Sequence, residues 1–321
     1  MEQLINKCSR KLQLTQTDYV RSMMNTIGWG KRLIALRGAK GVGKTTLMLQ
    51  YLKMHHCDVR TSLYVSVDDA YFVQHSLVDF VAQFYNYGGK LLMLDEVHKY
   101  PGWSRELKNI YDDYPDLSVV VSASSLLNLM AGDADLSRRC VHYDIFGLSF
   151  REYMQLVHHI ELPMVAFEDI LNDSLSVCLA VTAKCHPLAY FDQYVSNGYY
   201  PFVLEGSDDY LMKVENVVHY MLNVELPQLR GVEVAQVRKL LSLLAVLSSN
   251  VPLQVDITKL STMIEVSRQT LLGYLQHLSE AKLLNLLYSD ETSVKKLQKP
   301  DKIYLENPNL LYALAPSSVE I

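Results

Sequence analysis

The chain has 321 residues, of which 49% are hydrophobic and 20% are charged, and its formal net charge is -5. This composition excludes a disordered or fibrous chain and is typical of a globular protein with room for two or three domains. The negative balance also excludes a global positive field, so any contact with nucleic acid needs a local basic surface.

The five cysteines are scattered and include no C-x-x-C pair, which indicates reduced, cytosolic usage rather than a disulfide framework. The cysteines and histidines also lack zinc-site spacing, so no metal site of that kind is expected. The first residues lack the apolar core of a signal peptide, and no apolar run reaches the length of a membrane span. We therefore expect a cytoplasmic protein that has no membrane partner.

Residues 1 to about 30 have a polar, helical pattern in which Thr17 is the predicted N-cap of a helix. From residue 32 to 150, short apolar runs alternate with amphipathic segments. This alternation predicts a parallel α/β sheet covered by helices on both faces. The predicted strands are 32–38, 62–68, 90–96 and 117–123. The first 150 residues thus form the predicted core domain together with an N-terminal helix.

The stretch GAKGVGKT, from Gly38 to Thr45, matches the pattern G-x-x-x-x-G-K-[ST] and lies between a predicted strand and a predicted helix. Its glycines let successive backbone N–H groups turn toward an anion, and the helix N-terminus favours the same charge. Lys44 would supply a cation to the outer phosphates, and Thr45 a hydroxyl to Mg²⁺. The alternative is a glycine-rich turn that matches by chance. The predicted nucleotide-binding residues are Gly38, Ala39, Lys40, Gly41, Val42, Gly43, Lys44, Thr45 and Thr46.

Two adjacent acidic residues, Asp95 and Glu96, directly follow the apolar run Leu91 to Leu94. Asp95 is suited to hold the Mg²⁺ shell, and Glu96 to polarise the water that attacks the γ-phosphate. The alternative is a solvated acidic turn. Because the chain contains no N-K-x-D motif of GTPases, ATP is the predicted nucleotide.

Polar side chains at the end of the next strand, Ser122, Ser124 and Ser125, lie where a γ-phosphate sensor would be placed. Ser124 is favoured, although it could equally be a helix N-cap. Arg138 and Arg139 precede a strand-like segment, and one of them could stabilise phosphate charge in the same subunit or a neighbouring one. Surface ion pairing is the alternative. The predicted catalytic residues are Glu96, Lys44, Ser124, Arg138 and Arg139, and the predicted metal ligands are Thr45 and Asp95.

The rest of the chain divides into a helical, lid-like region at 151–231, a winged-helix domain at 232–300 and a C-terminal tail at 301–321. In the winged helix, Asp256 is the predicted cap of a helix that ends at Met263, and Ser267 caps a second helix. That second helix is predicted to direct a polar set outward: Arg268, Gln269, Thr270, Tyr274, Gln276 and His277. The predicted wing adds Lys295, Lys296, Lys299 and Lys302. DNA contact and a protein-contact or packing role both remain open.

Several stretches resemble prokaryotic AAA-superfamily ATPases, in which an AAA domain joins a winged helix and commonly a restriction-endonuclease-like C-terminal domain. The stretches are LRGAKGVGKTTLMLQYL, SLYVSVDDAYF, LLMLDEVHKYPGWSRELKNIYDDYP, VVVSASSLL, DLSRRCVHYDIFGLSFREY and YVSNGYYPFVLEG. The resemblance implies an ATPase fold with a small helical region after it, and the same roles for the loop, the Asp–Glu pair and the serine tip. Because the chain ends at Ile321, the nuclease-like domain is expected to be absent.

The predicted fold class is therefore α/β, a P-loop NTPase core with a parallel sheet, followed by a helical region and a winged-helix domain. The predicted function is ATP binding and hydrolysis with Mg²⁺, coupled to conformational change. The conformational change is expected to act on a neighbouring subunit of a homo-oligomer, or on a DNA or protein partner. The rival hypothesis is a slow, nucleotide-gated switch or adaptor, and a small-molecule kinase is the third.

Overall fold

The computed structural model describes residues 1–56, 58–124, 136, 138–206, 208–249, 253–254, 256–288 and 299–315, with the backbone alone for 234, 253 and 254. The chain forms two compact units, unit 1 at Met1–Phe146 and unit 2 at Gly147–Ile321. The division falls a few residues before the predicted boundary at 150. The regions predicted as a helical lid and a winged helix belong to one compact unit.

A parallel sheet forms the centre of unit 1. Its inner strands are mainly apolar because both faces are covered; every residue of the strand Leu91–Asp95 is buried. In the part of unit 1 that the structure describes, the strands are β1 (Leu33–Gly38), β2 (Ser62–Ser66), β3 (Leu91–Asp95), β4 (Ser118–Ser124) and β5 (Val141–Asp144). They are ordered β2-β3-β4-β1-β5, and all neighbours pair in parallel. The predicted α/β core is confirmed.

Described helices connect β1 to β2, β2 to β3 and β3 to β4. Because all the strands pair in parallel, their carboxyl ends lie at one edge of the sheet. The helices of unit 1 are α1 (Glu2–Leu14), α2 (Lys44–His55), α3 (Tyr71–Gln74), α4 (Leu77–Asn86) and α5 (Trp103–Asp113), with short 3₁₀ turns at Ser22–Asn25 and Val97–Lys99. Since α2 begins six residues after β1 ends, the loop between them lies at the carboxyl edge.

The N-terminal helix differs from the one predicted. The prediction of a helix capped by Thr17 is wrong: α1 precedes it and ends at Leu14. The side-chain amide of Gln50 on α2 donates to the carbonyls of Gln16 and Tyr19, at 2.9 and 2.8 Å. These carbonyls are satisfied by α2, so this segment does not need helical hydrogen bonds. The buried residues of α1 recur with helical spacing at Leu4, Cys8 and Leu12.

Unit 2 is mainly helical. Its described helices are α6 (Phe150–His158), α7 (Phe167–Asn172), α8 (Ser174–Thr182), α9 (Leu188–Asn197), α10 (Tyr210–Tyr220), α11 (Leu226–Arg230), α12 (Val234–Ser248), α13 (Ile257–Ile264), α14 (Arg268–Glu280) and α15 (Pro308–Leu314). A 3₁₀ turn spans Pro201–Glu205, and a π-helical turn at Met221–Glu225 joins α10 to α11. Among the described residues, no helix combines the length and the hydropathy needed to cross a lipid bilayer.

A small antiparallel sheet accompanies α13 and α14. Its described strands are β6 (Leu253–Gln254), β7 (Leu284–Leu287) and β8 (Lys302–Leu305), in the order β6-β8-β7. Asp256 caps α13, and Ser267 caps α14 by accepting a hydrogen bond from the N–H of Thr270. The element order agrees with the predicted arrangement of two capped helices followed by strands.

The polar residues predicted to face outward on α14 and on the wing differ in their exposure. Tyr274 does not point outward; it is 6% exposed and continues the buried face at Leu271, Leu275 and Leu278, because positions three and four apart share one helix face. Arg268, Gln269 and Gln276 are exposed, as are Lys299 and Lys302. Lys295 and Lys296 lie outside the described residues.

The segment predicted as a C-terminal tail at 301–321 contains a strand at Lys302–Leu305 and a helix at Pro308–Leu314. This helix carries a buried polar residue, Asn309, that is 0% exposed. Its side-chain amide donates to the carbonyls of Tyr194 and Val195, at 3.2 and 2.7 Å. These bonds attach α15 to the end of α9.

The oxygen of the same Asn309 side chain is also used. It accepts hydrogen bonds from the backbone N–H of Tyr199, at 2.7 Å, and from the hydroxyl of Tyr210, at 2.5 Å. The Tyr210 hydroxyl in turn accepts from the N–H of Tyr200 at 2.9 Å. Asn309 thus satisfies groups from three parts of unit 2, which explains why α15 packs against them.

We predict that Asn309→Ala destabilises unit 2 by about 3 kcal/mol, because it leaves buried donors and acceptors without partners. Amide hydrogen exchange of residues 194–214 should accelerate. Hydrogen exchange is used because tryptophan fluorescence would report on unit 1 alone, where both tryptophans, Trp29 and Trp103, lie. The matched control is Asn285→Ala at an exposed position of β7. Equal exchange rates in the two variants would contradict this role of Asn309.

Candidate nucleotide-binding site

The loop between β1 and α2 has the backbone that its sequence predicts. Gly41 and Gly43 have φ values of 86° and 94°, a left-handed conformation that glycine adopts without steric cost. Ala39 and Val42 are buried and anchor the loop. The first N–H groups of α2 have no acceptor within the helix, so they are available to an anion at its N-terminus.

Gly38 allows another strand to approach the loop. A Cβ at this position would lie 2.3 Å from the backbone oxygen of Ile145, which directly follows β5. The ammonium of Lys44 donates to the carbonyls of Gly38 and Ala39, at 2.8 and 2.9 Å, so it lies over the loop. Lys40 is half-buried within the loop, whereas Thr46 is exposed in the first turn of α2.

Arg21 supports the loop from the segment before β1. One of its guanidinium nitrogens donates to the carbonyl of Val42 at 3.0 Å and to that of Phe146 at 2.8 Å. Sequence reasoning missed this residue, because the bonds join positions far apart in the chain and Arg21 stands in an otherwise polar stretch. Its effect is to tie the loop to the residues that follow β5.

The carboxylate of Asp95 is the centre of the site and is only 3% exposed. Its Oδ2 accepts hydrogen bonds from the hydroxyl of Thr45, at 2.7 Å, and from that of Tyr64, at 2.5 Å. Its Oδ1 accepts from the hydroxyl of Ser122. The structure therefore brings Thr45 and Asp95 together, as a shared Mg²⁺ shell would require.

Tyr64 was not among the predicted site residues. Burial, and then the charge of Asp95, raise the pKa of its phenol, so the hydroxyl remains a donor at neutral pH. The signal in the sequence is a phenol in the apolar strand SLYVS, since a buried tyrosine hydroxyl needs a hydrogen-bond partner. The identity of that partner depends on the pairing of β2 with β3.

Glu96 begins the turn after β3 in a left-handed conformation, with φ 57° and ψ 42°. Such a conformation is costly for a residue with a side chain, and it occurs often at functional sites. Its N–H donates to the hydroxyl of Ser122 at 2.9 Å, which fixes the turn. Ser122 thereby connects the two acids, because the same hydroxyl donates to Asp95.

Lys99 pairs with the carboxylate of Glu96 and, at 3.0 Å, with that of Asp68. Burial lowers the pKa of this lysine, but the hydrogen bonds to Glu96 and Asp68 outweigh burial, and the net shift is upward. Lys99 is therefore charged at neutral pH and neutralises the predicted base. Its position three residues after Glu96 is the signal that sequence reasoning missed.

Ser124 ends β4 beside the loop, in register with Gly38. It is buried, and its N–H donates to Nδ1 of His98 at 3.3 Å. The structure thus places Ser124 at the edge of the sheet where the phosphate loop begins. Ser125 lies outside the described residues.

Arg138 and Arg139 are not brought to this edge. Arg139 makes a bidentate ion pair with Asp112 in the last turn of α5, at 2.9 and 3.1 Å, and this hydrogen bonding lowers the pKa of Asp112. The neighbouring Tyr111 contacts Arg32, which directly precedes β1. This is the amino edge of the sheet, opposite the phosphate loop of the same chain. A role toward a neighbouring subunit stays a prediction.

The N-terminal helix contacts the acidic side of the site. The ammonium of Lys7 pairs with Asp69, and that of Lys11 donates to the hydroxyl of Tyr64 at 3.3 Å. The hydrogen bond from Lys7 holds the pKa of the Asp69 carboxyl below its usual value. Since Asp68 and Asp69 lie in the turn after β2, which ends at Ser66, α1 is attached to the turn next to Asp95 and Glu96.

Two family models each match part of the chain. Residues 30–154 match the profile of an AAA domain, and residues 188–320 match a domain of unknown function. An uncharacterized protein of Methanocaldococcus jannaschii is 28% identical over 289 residues, which are 85% of this chain. The match spans 60% of the length of that relative. The AAA-domain match and the loop geometry support a nucleotide-binding, ATPase-like domain in unit 1.

Solved structures show only distant likeness. The AMPPCP-bound DnaA from Aquifex aeolicus is 15% identical with a TM-score of 0.35, and the match covers 90% of this chain and 88% of DnaA. Domain III of the Thermotoga maritima replication initiation protein DnaA is 16% identical with a TM-score of 0.31, over 59% of this chain and 85% of that domain. Likeness at this level carries no argument about function.

We predict that Gly38→Ala lowers the free energy of unfolding of unit 1 by about 2 kcal/mol, because the new methyl group overlaps the backbone oxygen of Ile145. Urea unfolding followed by tryptophan fluorescence measures the loss. The control is Gly30→Ala, where a Cβ meets nothing within 4 Å. Equal midpoints for the two variants would contradict the close approach.

We predict that the ion pair of Lys7 with Asp69 gives a pH-dependent stabilisation. The folded pKa of Asp69 is below the unfolded value of about 3.9, so the stabilisation is present above that value and is lost as the pH falls through the folded pKa. Lys7 is exposed and Asp69 is half-buried, so solvent screens the pair. Asp69→Asn should therefore cost about 0.5 kcal/mol at pH 7, and the difference from wild type should shrink below about pH 4.

Urea unfolding across this pH range measures the difference. Asp116→Asn, at an exposed position, is the control and should change stability little at any pH. A constant difference between wild type and Asp69→Asn at all pH values would exclude the ion pair as its source.

Proposed function

We propose that this protein binds ATP with Mg²⁺ and hydrolyses it, and that hydrolysis is coupled to a conformational change. The observation that carries the proposal is the 2.7 Å hydrogen bond from the Thr45 hydroxyl to the Asp95 carboxylate. It joins the end of the phosphate loop to the end of β3. A hydroxyl and a carboxylate at this junction are the oxygen ligands suited to Mg²⁺ beside a triphosphate.

The residues at the loop fit the nucleotide. Gly41 and Gly43 provide left-handed backbone that leaves room for phosphate oxygens, and the N-terminus of α2 favours negative charge. Lys44, which lies over the loop, can move its ammonium from the carbonyls of Gly38 and Ala39 to phosphate oxygens. Thr45 and Asp95 would hold the Mg²⁺ ion, which would supply positive charge to neutralise the phosphates.

The catalytic step depends on Glu96 in this proposal. Its carboxylate orients the attacking water and accepts the proton of that water. Asp95 and Glu96 have different roles, metal binding and water activation. Asp95 is buried among hydroxyl donors, whereas Glu96 turns away from β3 in its left-handed conformation. The hydroxyl of Ser124, which lies beside Gly38, donates a hydrogen bond to the γ-phosphate.

Arg138 and Arg139 act on the nucleotide of a neighbouring subunit in this proposal, because they lie at the opposite edge of the sheet from the loop of their own chain. This role requires a homo-oligomer. The conformational change then reaches a neighbouring subunit, or a DNA or protein partner that contacts the exposed polar residues of α14.

One observation favours a second candidate, a nucleotide-gated adaptor with slow turnover. The carboxylate of Glu96 is paired with the ammonium of Lys99, and this ion pair competes with the attacking water for the carboxylate. An enzyme in this state would bind ATP and retain it. The two candidates differ in the rate of hydrolysis and agree on binding.

We predict that Glu96→Gln lowers ATP turnover by about 100-fold or more, because the amide does not accept the proton of the attacking water. The affinity for a fluorescent ATP analogue should change less than about threefold, since the phosphate loop remains intact. Phosphate release and fluorescence titration measure the two quantities.

The matched control is Glu168→Gln, at an exposed position of unit 2, which should leave both quantities at wild-type values. Lys44→Ala should abolish binding. Equal turnover of Glu96→Gln and wild type, with binding retained, would support the adaptor, whereas absent binding in the wild type would overturn both candidates.

A further inference from the structure

Asp95 receives a hydrogen bond from each strand next to β3. Ser122 comes from β4 on one side, and Tyr64 comes from β2 on the other. Tyr64 is in register with Met93, two residues before Asp95, so its long phenol spans the diagonal to the carboxylate. Thr45 makes the remaining bond from α2. The orientation of the carboxylate is therefore determined by three donors from three elements.

The Tyr64 side chain is itself held in place. It is 3% exposed within an apolar strand, where a phenylalanine would fill the space without a donor. On the side of α1, Sγ of Cys8 accepts the N–H of Tyr64 at 3.4 Å. The ammonium of Lys11 lies 4.6 Å from the ring centroid and donates to the hydroxyl. Helix α1 thus contacts Tyr64 at its backbone, its ring and its hydroxyl, which holds the hydroxyl in position.

We infer that Tyr64 is a positioning residue for the proposed Mg²⁺ site, where its hydroxyl orients the Asp95 carboxylate toward the Thr45 hydroxyl. Tyr64 and Thr45 donate to the same carboxylate oxygen, Oδ2. If one of these donors is lost, the other alone determines the orientation of that oxygen. Residues that orient metal ligands commonly contribute 10-fold or more to metal affinity. The inference rests on the proposed function, because it assigns a role toward the metal of the same site.

The geometry also connects α1 to the metal site. Lys11 contacts the hydroxyl that Asp95 uses, and Lys7 pairs with Asp69 directly beyond β2. Displacement of α1 would remove contacts from Tyr64 without touching the phosphate loop. The first residues of the chain therefore belong to the support of the site.

The test is Tyr64→Phe, which removes the hydroxyl and keeps the ring. Two affinities are measured by calorimetry with a nonhydrolysable ATP analogue: that of the analogue alone in EDTA, and that of Mn²⁺ for the protein with the analogue bound. The analogue should bind alone as in wild type, since the loop is unchanged. The Mn²⁺ affinity should fall about 10-fold, and the Mg²⁺ concentration for half-maximal turnover should rise by a similar factor.

Tyr153→Phe is the matched control. Tyr153 is buried in unit 2, and the described residues contain no hydrogen-bond partner for its hydroxyl. This variant should leave both affinities unchanged. A thermal unfolding curve for each variant confirms that the fold is kept. A second variant, Lys11→Met, should shift the Mn²⁺ affinity in the same direction and by less.

The outcomes separate the two levels of the proposal. An unchanged Mn²⁺ affinity in Tyr64→Phe, with wild type binding both the metal and the analogue, overturns the positioning role and leaves the proposed function standing. Equal losses of analogue binding with and without metal would show a structural role only and also overturn it. If wild type itself binds neither, the proposed function fails first.

Discussion

A buried carboxylate with a complete set of hydroxyl donors is the interaction on which the site depends. Asp95 is removed from water at the end of β3, and a carboxylate in such a place is stable only when its oxygens are hydrogen-bonded or paired with a cation. Thr45, Tyr64 and Ser122 supply those bonds from three different elements. Their side chains thereby position α2, β2 and β4 around one charge.

This arrangement explains how the phosphate loop and the acidic turn form one site. The parallel sheet places the ends of β1, β3 and β4 at the same edge, and the hydrogen bond of Thr45 joins the loop to β3. Ser122 extends the connection, because it donates to Asp95 and accepts from the N–H of Glu96. The left-handed turn at Glu96 is thus held by the same group that holds Asp95.

Outside the sheet, buried amide side chains also join separate segments of the chain by hydrogen bonds, once in unit 1 and once in unit 2. Gln50 satisfies the carbonyls of the segment after α1, and Asn309 joins α15 to α9 and α10. In each case one amide serves several backbone groups, which lets irregular chain segments pack without regular hydrogen bonding. Sequence pattern alone did not indicate either set of contacts, because an amide reveals nothing in the sequence about its distant partners.

Sequence pattern predicts four strands of the parallel sheet, the phosphate loop and the caps at Asp256 and Ser267, since these follow from local periodicity, glycine conformation and hydrogen bonds within a few residues. It also assigns Thr45 and Asp95 to one metal site, and the structure joins these two side chains by a hydrogen bond. Other contacts arise only in the folded chain: Tyr64 donates to Asp95, Lys99 pairs with Glu96 and Asp68, and Arg139 pairs with Asp112 at the opposite edge. These contacts depend on strand order and on the directions of side chains after packing, which no local pattern encodes.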